Sequence, residues 1–417
     1  MAGGTPREPK APLTPWRMVI GLGLVSLAAD MVADGGKSLF GPLLGSLGAS
    51  ALVIGLTTGS AEAMSLVLRL VSGPLADRTG NHWSWTIGGY ALTAVCIPLL
   101  AVAPFVGAAG LALAVVLILA ERAGKAFRSP SKTALLAHAT GAIGRGRGFG
   151  VHKALDLIGA FSGPLLVAAL VAATGAMWPG FLVLVVPGVL TMALLFWLRF
   201  RVPDPSVYDP AAAAPPDQAT SRAALWARSL GRDLPRAFFE YAAAVGLTTG
   251  GLVSYGIISF HFVRTGLFPL ATIPIVFAGA MGAAFVAALV NGWLYDRVGA
   301  RVLLALPLLV AAVPPLALAG SLALALVGMA CWGFAGGLQD STIKALVADL
   351  VPAPRRATAY GVFAAIQGLA AMAGGVAAGA LYESSLTTLT IVVAVGQVFA
   401  TILMVHVLSA RPKQVAD

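Results

Sequence analysis

Three ionisable residues interrupt the first apolar run of this chain: Asp30, Asp34 and Lys37. Asp30 and Asp34 are four apart and share a helical face, where like charges repel. Two carboxylates held close favour retention of a proton by one of them, as a proton carrier requires. Lys37, three residues after Asp34, is an available partner that would undo this, so the two acids rank jointly as titrating groups. A second set closes the fourth apolar run: Glu121, Arg122, Lys125 and Arg128. Glu121 and Lys125 make a favourable i,i+4 pair, which leaves Arg122 free to face an interior. Asp156 in the fifth run lies on a small-residue packing face with Gly159 and Gly163, with Lys153 as its local partner. Glu62 and Arg69 share a face of the second run. Asp340 and Lys344 form another i,i+4 pair in the tenth, with Gln339 alongside. Charges inside apolar runs are costly and usually mark a pathway or an internal pair.

The elements that carry these residues are membrane spans. Apolar residues make up 58% of the 417-residue chain and charged residues 11%, with a mean hydropathy of +0.89. A soluble domain carries about 25% charged residues, and a span needs roughly 20 apolar ones. Twelve such stretches fit, at 16–44, 49–72, 83–104, 107–128, 149–173, 177–199, 237–263, 268–294, 302–319, 321–348, 357–381 and 387–409. The net charge of +10 calls for no nucleic-acid partner, because its distribution follows the membrane. With both termini cytoplasmic, the loops on that side hold nearly all the Arg and Lys and the opposite loops hold only Arg264, which is the positive-inside pattern.

Several chemistries drop out. His152, His261 and His406 are scattered without metal-ligand spacing, so they read as satisfied helix histidines and no metal or cofactor is expected. Gly36-Lys37-Ser38 mimics the end of a phosphate loop, but Met31 stands where its first glycine is needed. Gly144, Gly146, Gly148 and Gly150 follow no strand and make no dinucleotide fingerprint. Cys96 and Cys331 fall in spans of different halves, so no disulfide is expected. No enzyme is read from these residues.

One motif occurs twice. Gly73-Pro-Leu-Ala-Asp77-Arg78-Thr-Gly80 returns as Gly292-Trp-Leu-Tyr-Asp296-Arg297-Val-Gly299, 219 positions later. Each copy lies between the second and third spans of its half. With an offset of 211, Arg145 meets Arg356, Asp156 meets Gln367 and Gly163 meets Gly374. The halves are therefore read as structural copies, as in many secondary transporters. Asp77 and Asp296 sit where the next helix is about to begin, so capping is expected of them. Arg78 and Arg297 are expected to pair across the near face and help to hold it shut.

On these residues the chain resembles the major facilitator superfamily. Its loop signature is matched by Gly73, Leu75, Asp77, Arg78 and Gly80, and again by Gly292, Leu294, Asp296, Arg297, Gly299 and Arg301. The first copy departs at Asn81-His82, where a basic pair is usual. A fifth-span signature of drug–proton antiporters is half matched by Gly159, Gly163 and Pro164, and "ERAGKAFRSPSKTALLAHA" resembles a bacterial efflux-like branch. The resemblance implies an all-α integral membrane protein with 12 transmembrane helices in two pseudo-symmetric six-helix bundles. The expected divisions are a tail at 1–15, bundles at 16–200 and 237–410, a linker at 201–236 and a tail at 411–417. It also implies that spans 1, 4, 7 and 10 line a central cavity. Proton-coupling candidates are then Asp30, Asp34, Glu121 and Asp156. Cavity candidates are Lys37, Arg122, Thr249, Tyr255, Gln339 and Asp340, with Thr248 nearby. The function implied is proton-coupled efflux of a drug-like molecule or metabolite across the bacterial inner membrane by a monomer, with substrate, proton and lipid as partners. The alternatives are import of a small polar, zwitterionic or anionic nutrient, by symport or facilitation, and a non-transporting sensor or assembly protein.

Overall fold

The computed structural model describes residues 13–141, 143–208, 234–341, 343–351 and 355–409, and every regular element among them is helical. Twelve helices among the described residues are long and apolar enough to cross a membrane. The first six are Pro15–Lys37, Ala51–Ala76, His82–Phe105, Gly107–Gly141, Gly146–Thr174 and Met177–Arg201, here spans 1 to 6. Spans 7 to 12 are Arg236–Arg264, Thr272–Tyr295, Gly299–Ala317, Leu322–Asp340, Thr358–Ser384 and Leu386–Ser409. A short helix, Phe40–Ser46, prolongs span 1. The 1–15 tail up to residue 12, residues 209–233 of the expected linker and the 411–417 tail lie outside the described residues.

Local sequence sets the helix ends. Thr14 accepts a hydrogen bond from Arg17 N with Pro15 at the first helical position, and Ser50 caps span 2 by accepting from Val53 N. The duplicated motif behaves differently from the expected turn. Gly73 to Thr79 continue the helix of span 2, with Pro74 inside it. Asp77 thus stands in the last turn of that helix. The helix that follows is capped by Asn81, whose Oδ1 accepts from Ser84 N at 3.2 Å. Asp296 likewise lies within the helix Thr272–Val298. The turns begin at Gly80 and Gly299, whose φ of +61° and +67° a side chain would resist. The side chains of Asp77 and Asp296 lie outside what is described. Arg297 stacks on Trp293 of its own helix, its guanidinium 3.9 Å from the ring centre, rather than reaching the other half.

Within each half, glycines bring crossing helices to backbone contact. Gly159 and Gly163 of span 5 lie on the carbonyls of Leu27 and Met31 in span 1. In the second half Gly374 of span 11 lies on Gly250 of span 7. Gly163 and Gly374 are counterparts at offset 211, and Met31 and Gly250 are counterparts at offset 219. One crossing is built twice.

The halves meet mainly along spans 2 and 11, and spans 5 and 8 also pack together. The span 2–span 11 seam runs from Ala51 beside Gly379, through Gly55 beside Gly375 and Gly59 beside Ala371, to Leu70 beside Gly361. At the end of the bundle away from the termini, Gly41 abuts Gly256 and Ser259, and Gly45 abuts the Phe260 ring. Thr58 donates to Ser254 Oγ across the halves at 2.9 Å. Leu52 N reaches Glu383 Oε1 at 3.5 Å. This far end is sealed.

Candidate functional site

The interior charges of the first half fall into two groups. The first is a continuous network through spans 1, 3, 4 and 5. Glu121 is fully buried; Thr93 holds one carboxylate oxygen at 3.2 Å, and the other faces Arg122 Nε at 3.1 Å. The expected Glu121–Lys125 pair is therefore replaced, and Arg122 is not free. Helical spacing put residues 121 and 125 on one face, but Glu121 turns toward span 3, where Thr93 fixes it. Arg128 also donates to Thr93, lies over the Tyr90 ring at 4.4 Å and faces Asp30 at 3.9 Å.

The network continues at Ser26. Its hydroxyl lies 3.0 Å from Tyr90 Oη and 3.1 Å from His152 Nε2, and it accepts from Lys132 Nζ at 3.1 Å. These contacts are jointly satisfied when Tyr90 donates to Ser26 and Ser26 donates to His152 Nε2. His152 Nδ1 then carries the proton and faces Asp156 Oδ1 at 3.7 Å. Asp156 is also 3.8 Å from Lys132 and 3.9 Å from Lys153. The expected Lys153–Asp156 pair exists, but the Lys153 side chain is 61% exposed against 20% for Lys132. Lys132 is the less exposed partner and holds Asp156 the more strongly, since charges attract more strongly out of water. Asp30 and Asp156 also lie within electrostatic reach of one another.

The second group lies between the halves. Asp34, Lys37, Glu62, Arg69 and Lys125 make no ion pair within 4 Å among the described residues. The expected Asp34–Lys37 pair is thus not closed. Glu62 is exposed and lies within electrostatic reach of Lys37, Arg122, Lys125 and Arg69, charges carried on spans of its own half. Lys37 Nζ sits 6.0 Å from the Phe277 ring centre of span 8, and Arg69 feels Asp340 of span 10.

The second half is nearly neutral where the first is charged. Gln367 Nε2 donates to Thr249 Oγ1 at 3.4 Å. By the offsets of 211 and 219, Gln367 is the counterpart of Asp156 and Thr249 that of Asp30. Thr248 is buried and bonds Val245 O. Tyr255, expected on the cavity wall, is fully buried against Phe277 and Trp332 and donates to Ile273 O at 2.7 Å. It is a packing wedge within its own half. Asp340 is exposed; Lys344, its expected partner, has a side chain outside what is described. His261 Nδ1 lies 2.8 Å from Tyr382 Oη while its Nε2 is buried without a hydrogen-bond partner, and His406 faces Glu240 at 3.8 Å near the surface.

Sequence reasoning missed Ser26, Tyr90, Thr93 and Lys132. Ser26 and Tyr90 give no local sign of a role. Lys132 carried one, a lysine four residues beyond Arg128 on a span too long to end at residue 128. A recess of about 740 Å³ bounded by Asn81, Trp83, Phe196, Arg199, Phe200 and Pro203 has none of the interior charges in its lining.

The Major Facilitator Superfamily profile matches residues 22–281 and 266–416. An uncharacterized protein of Mycobacterium tuberculosis is 46% identical over 393 residues, 94% of this chain and 93% of that one. An uncharacterized MFS-type transporter of Methanocaldococcus jannaschii is 25% identical over 87% of this chain and 88% of its own. Among solved structures, a mutant of the nucleoside transporter NupG superposes with a TM-score of 0.75 at 13% identity, over 94% of this chain and 99% of that one. A POT family transporter in complex with 5-aminolevulinic acid gives 0.70 at 13% identity, over 95% and 96%. At such identities the structures share a fold with this chain and nothing finer.

Proposed function

The chain belongs to the Major Facilitator Superfamily, and on that premise we propose that it is a proton-coupled antiporter exporting a small molecule across the inner membrane by alternating access. It is a multi-pass membrane transporter of twelve helices. The observation that carries the proton coupling is the asymmetry between the halves. The Asp30–Asp156 position holds two acids with Arg128 and Lys132 around them, and its counterpart holds Thr249 and Gln367. A proton on Asp30 or Asp156 weakens the hold on Arg128 or Lys132. Spans 1, 4 and 5 are then free to shift, whereas the neutral copy is unaffected. A ligand drives a conformational change only through different affinities for its two states, and the proton is such a ligand here. Glu121, tied to Arg122 and Thr93, serves as an anchor in this scheme.

With both termini cytoplasmic, the sealed far end is the outer face and Glu62 and Asp340 face a cavity open inward. The monomer suffices, since both halves of the cavity come from one chain. Support for export is the half-matched Gly159–Gly163–Pro164 signature, which sets span 5 directly on the span 1 backbone beside Asp30. The test uses purified protein in proteoliposomes containing a pH-sensitive dye, a panel of lipophilic cations, sugars, amino acids and organic anions, and an imposed proton gradient. Substrate-triggered proton flux is expected, lost in Asp30→Asn and Asp156→Asn while substrate exchange continues. Flux that persists in both variants sinks the proton assignment, and folded protein giving neither flux nor exchange with any class sinks the antiporter.

A further inference from the structure

We infer that the unpaired charges between the halves bind an amphoteric substrate, a linear molecule bearing an ammonium at one end and a carboxylate at the other. This rests on the transporter reading and deepens it. Among the described residues the interior charges divide cleanly: Asp30, Glu121, Arg122, Arg128, Lys132 and Asp156 have partners within 4 Å, and Asp34, Lys37, Glu62, Arg69 and Lys125 do not. An uncompensated charge in a span is costly, and a ligand that pairs with several of these five at once offsets that cost. Both signs are present, two acids and three bases, so a simple cation or a simple anion would satisfy only part of the set.

The geometry places the set where a transported molecule must sit. The Thr58–Ser254 hydrogen bond roofs it one helical turn above Glu62. Lys37 approaches Phe277 and Arg69 senses Asp340, so both halves contribute. Hydrogen-bonding capacity is left over in the same place. Arg69 Nε and Gln339 Nε2 are buried with no hydrogen-bond partner, and Arg69 holds only Ser65 Oγ, at 3.5 Å. Glu62 and Arg69 are seven residues apart on one helix, a rise of about 10 Å, and the Arg69 side chain reaches back toward Ser65. The Arg69 guanidinium at Ser65 thus stands about one turn of helix from Glu62, a gap that a substrate with its charges several bonds apart can bridge. The ammonium goes to Glu62 and the carboxylate to Arg69, with Asp34 and Lys125 facing one another beside them.

The experiment compares three probes of matched length on the full chain in lipid nanodiscs: ε-aminocaproate, hexanoate and hexylammonium. Binding is measured by calorimetry and by the shift in thermal unfolding. ε-Aminocaproate is expected to bind at least about tenfold more tightly than either singly charged analogue, since each charge-assisted contact is worth about that much. Glu62→Gln should reduce it to the level of hexanoate, and Arg69→Gln to that of hexylammonium. Hexanoate or hexylammonium binding as well as ε-aminocaproate to the unmodified protein overturns the inference, and this comparison needs no variant to fold. Binding by none of the three at millimolar concentration overturns it too, because a site defined by its charges must sense the bare charges. Proton flux triggered by some other substrate would in that case leave the transporter reading standing. Selective ε-aminocaproate binding with no flux or exchange for any solute would retain the site and remove the transporter.

Discussion

A single methyl group at Gly59 should unbalance the two faces of the molecule. A Cβ there would stand 2.9 Å from Ala371 O, 3.1 Å from Met372 Cα and 3.2 Å from Met372 O. Ordinary contact begins near 3.4 Å, so spans 2 and 11 must part by about 0.5 Å at this level. At Gly55 the same methyl would overlap Gly375 O outright, and the separation must be larger. Overpacking of this kind costs about 1–3 kcal/mol. The cost falls on the form sealed at the far end and is relieved when that end opens, so populations should shift by a factor of about 5–150. The gain in helix propensity from Gly to Ala is common to both forms and cancels. Gly279→Ala on span 8, where nothing lies within 4 Å, is the control. The assay is the distance between spin labels at Ser46→Cys and Thr265→Cys, exposed positions at the far end of each half, with Cys96 and Cys331 replaced by alanine. Gly59→Ala should broaden the distribution toward longer distances and Gly55→Ala should do so further. If both variants match Gly279→Ala, the close approach of spans 2 and 11 does not bias the far end.

Other perturbations test other parts of the structure. Glu121→Gln leaves Arg122, 5% exposed, without its counterion, and should cost about 3–5 kcal/mol, read as a large fall in the unfolding midpoint; an unchanged midpoint would mean that Arg122 finds another partner. Asn81→Ala should cost about 1 kcal/mol by uncapping span 3, and Asp77→Ala should not reproduce that loss in thermal unfolding. Ser26→Ala removes the shared partner of Tyr90, His152 and Lys132, and should slow substrate-driven proton flux in proteoliposomes more than substrate exchange. Equal slowing of both would place Ser26 in packing alone.

The twelve spans were legible because each is a long apolar run, and the division expected between 319 and 321 falls where the structure ends one span at Ala317 and begins the next at Leu322. The duplication was legible too, since Gly163 and Gly374 mark the same crossing in both halves. The helix continued through Gly73 and Pro74 against expectation because packing outweighs the local preference of two residues. The charge network was hidden for a different reason. Ser26, Tyr90 and His152 are separated by 64 and 126 positions, and sequence spacing reports on neighbours within one helix only. Glu121 shows the limit most plainly: its position on the helix allowed Lys125, and a threonine on another span decided the outcome.

The seam between spans 2 and 11 behaves as a bearing. Knobs that interlock must climb out of their holes before two helices can move, and each such step is a barrier. Here carbonyls and Cα atoms meet with almost no side chain between them, from Gly379 to Gly368. Two smooth cylinders in contact can roll through several degrees while keeping the same dispersion energy, because no atom has to leave a socket. The resistance to turning is then set elsewhere, by the Thr58–Ser254 bond and the Gly41–Ser259 contact, which act as a latch on an otherwise free joint. A change to the latch alters how long the molecule waits, and a change to the bearing alters how far it can swing.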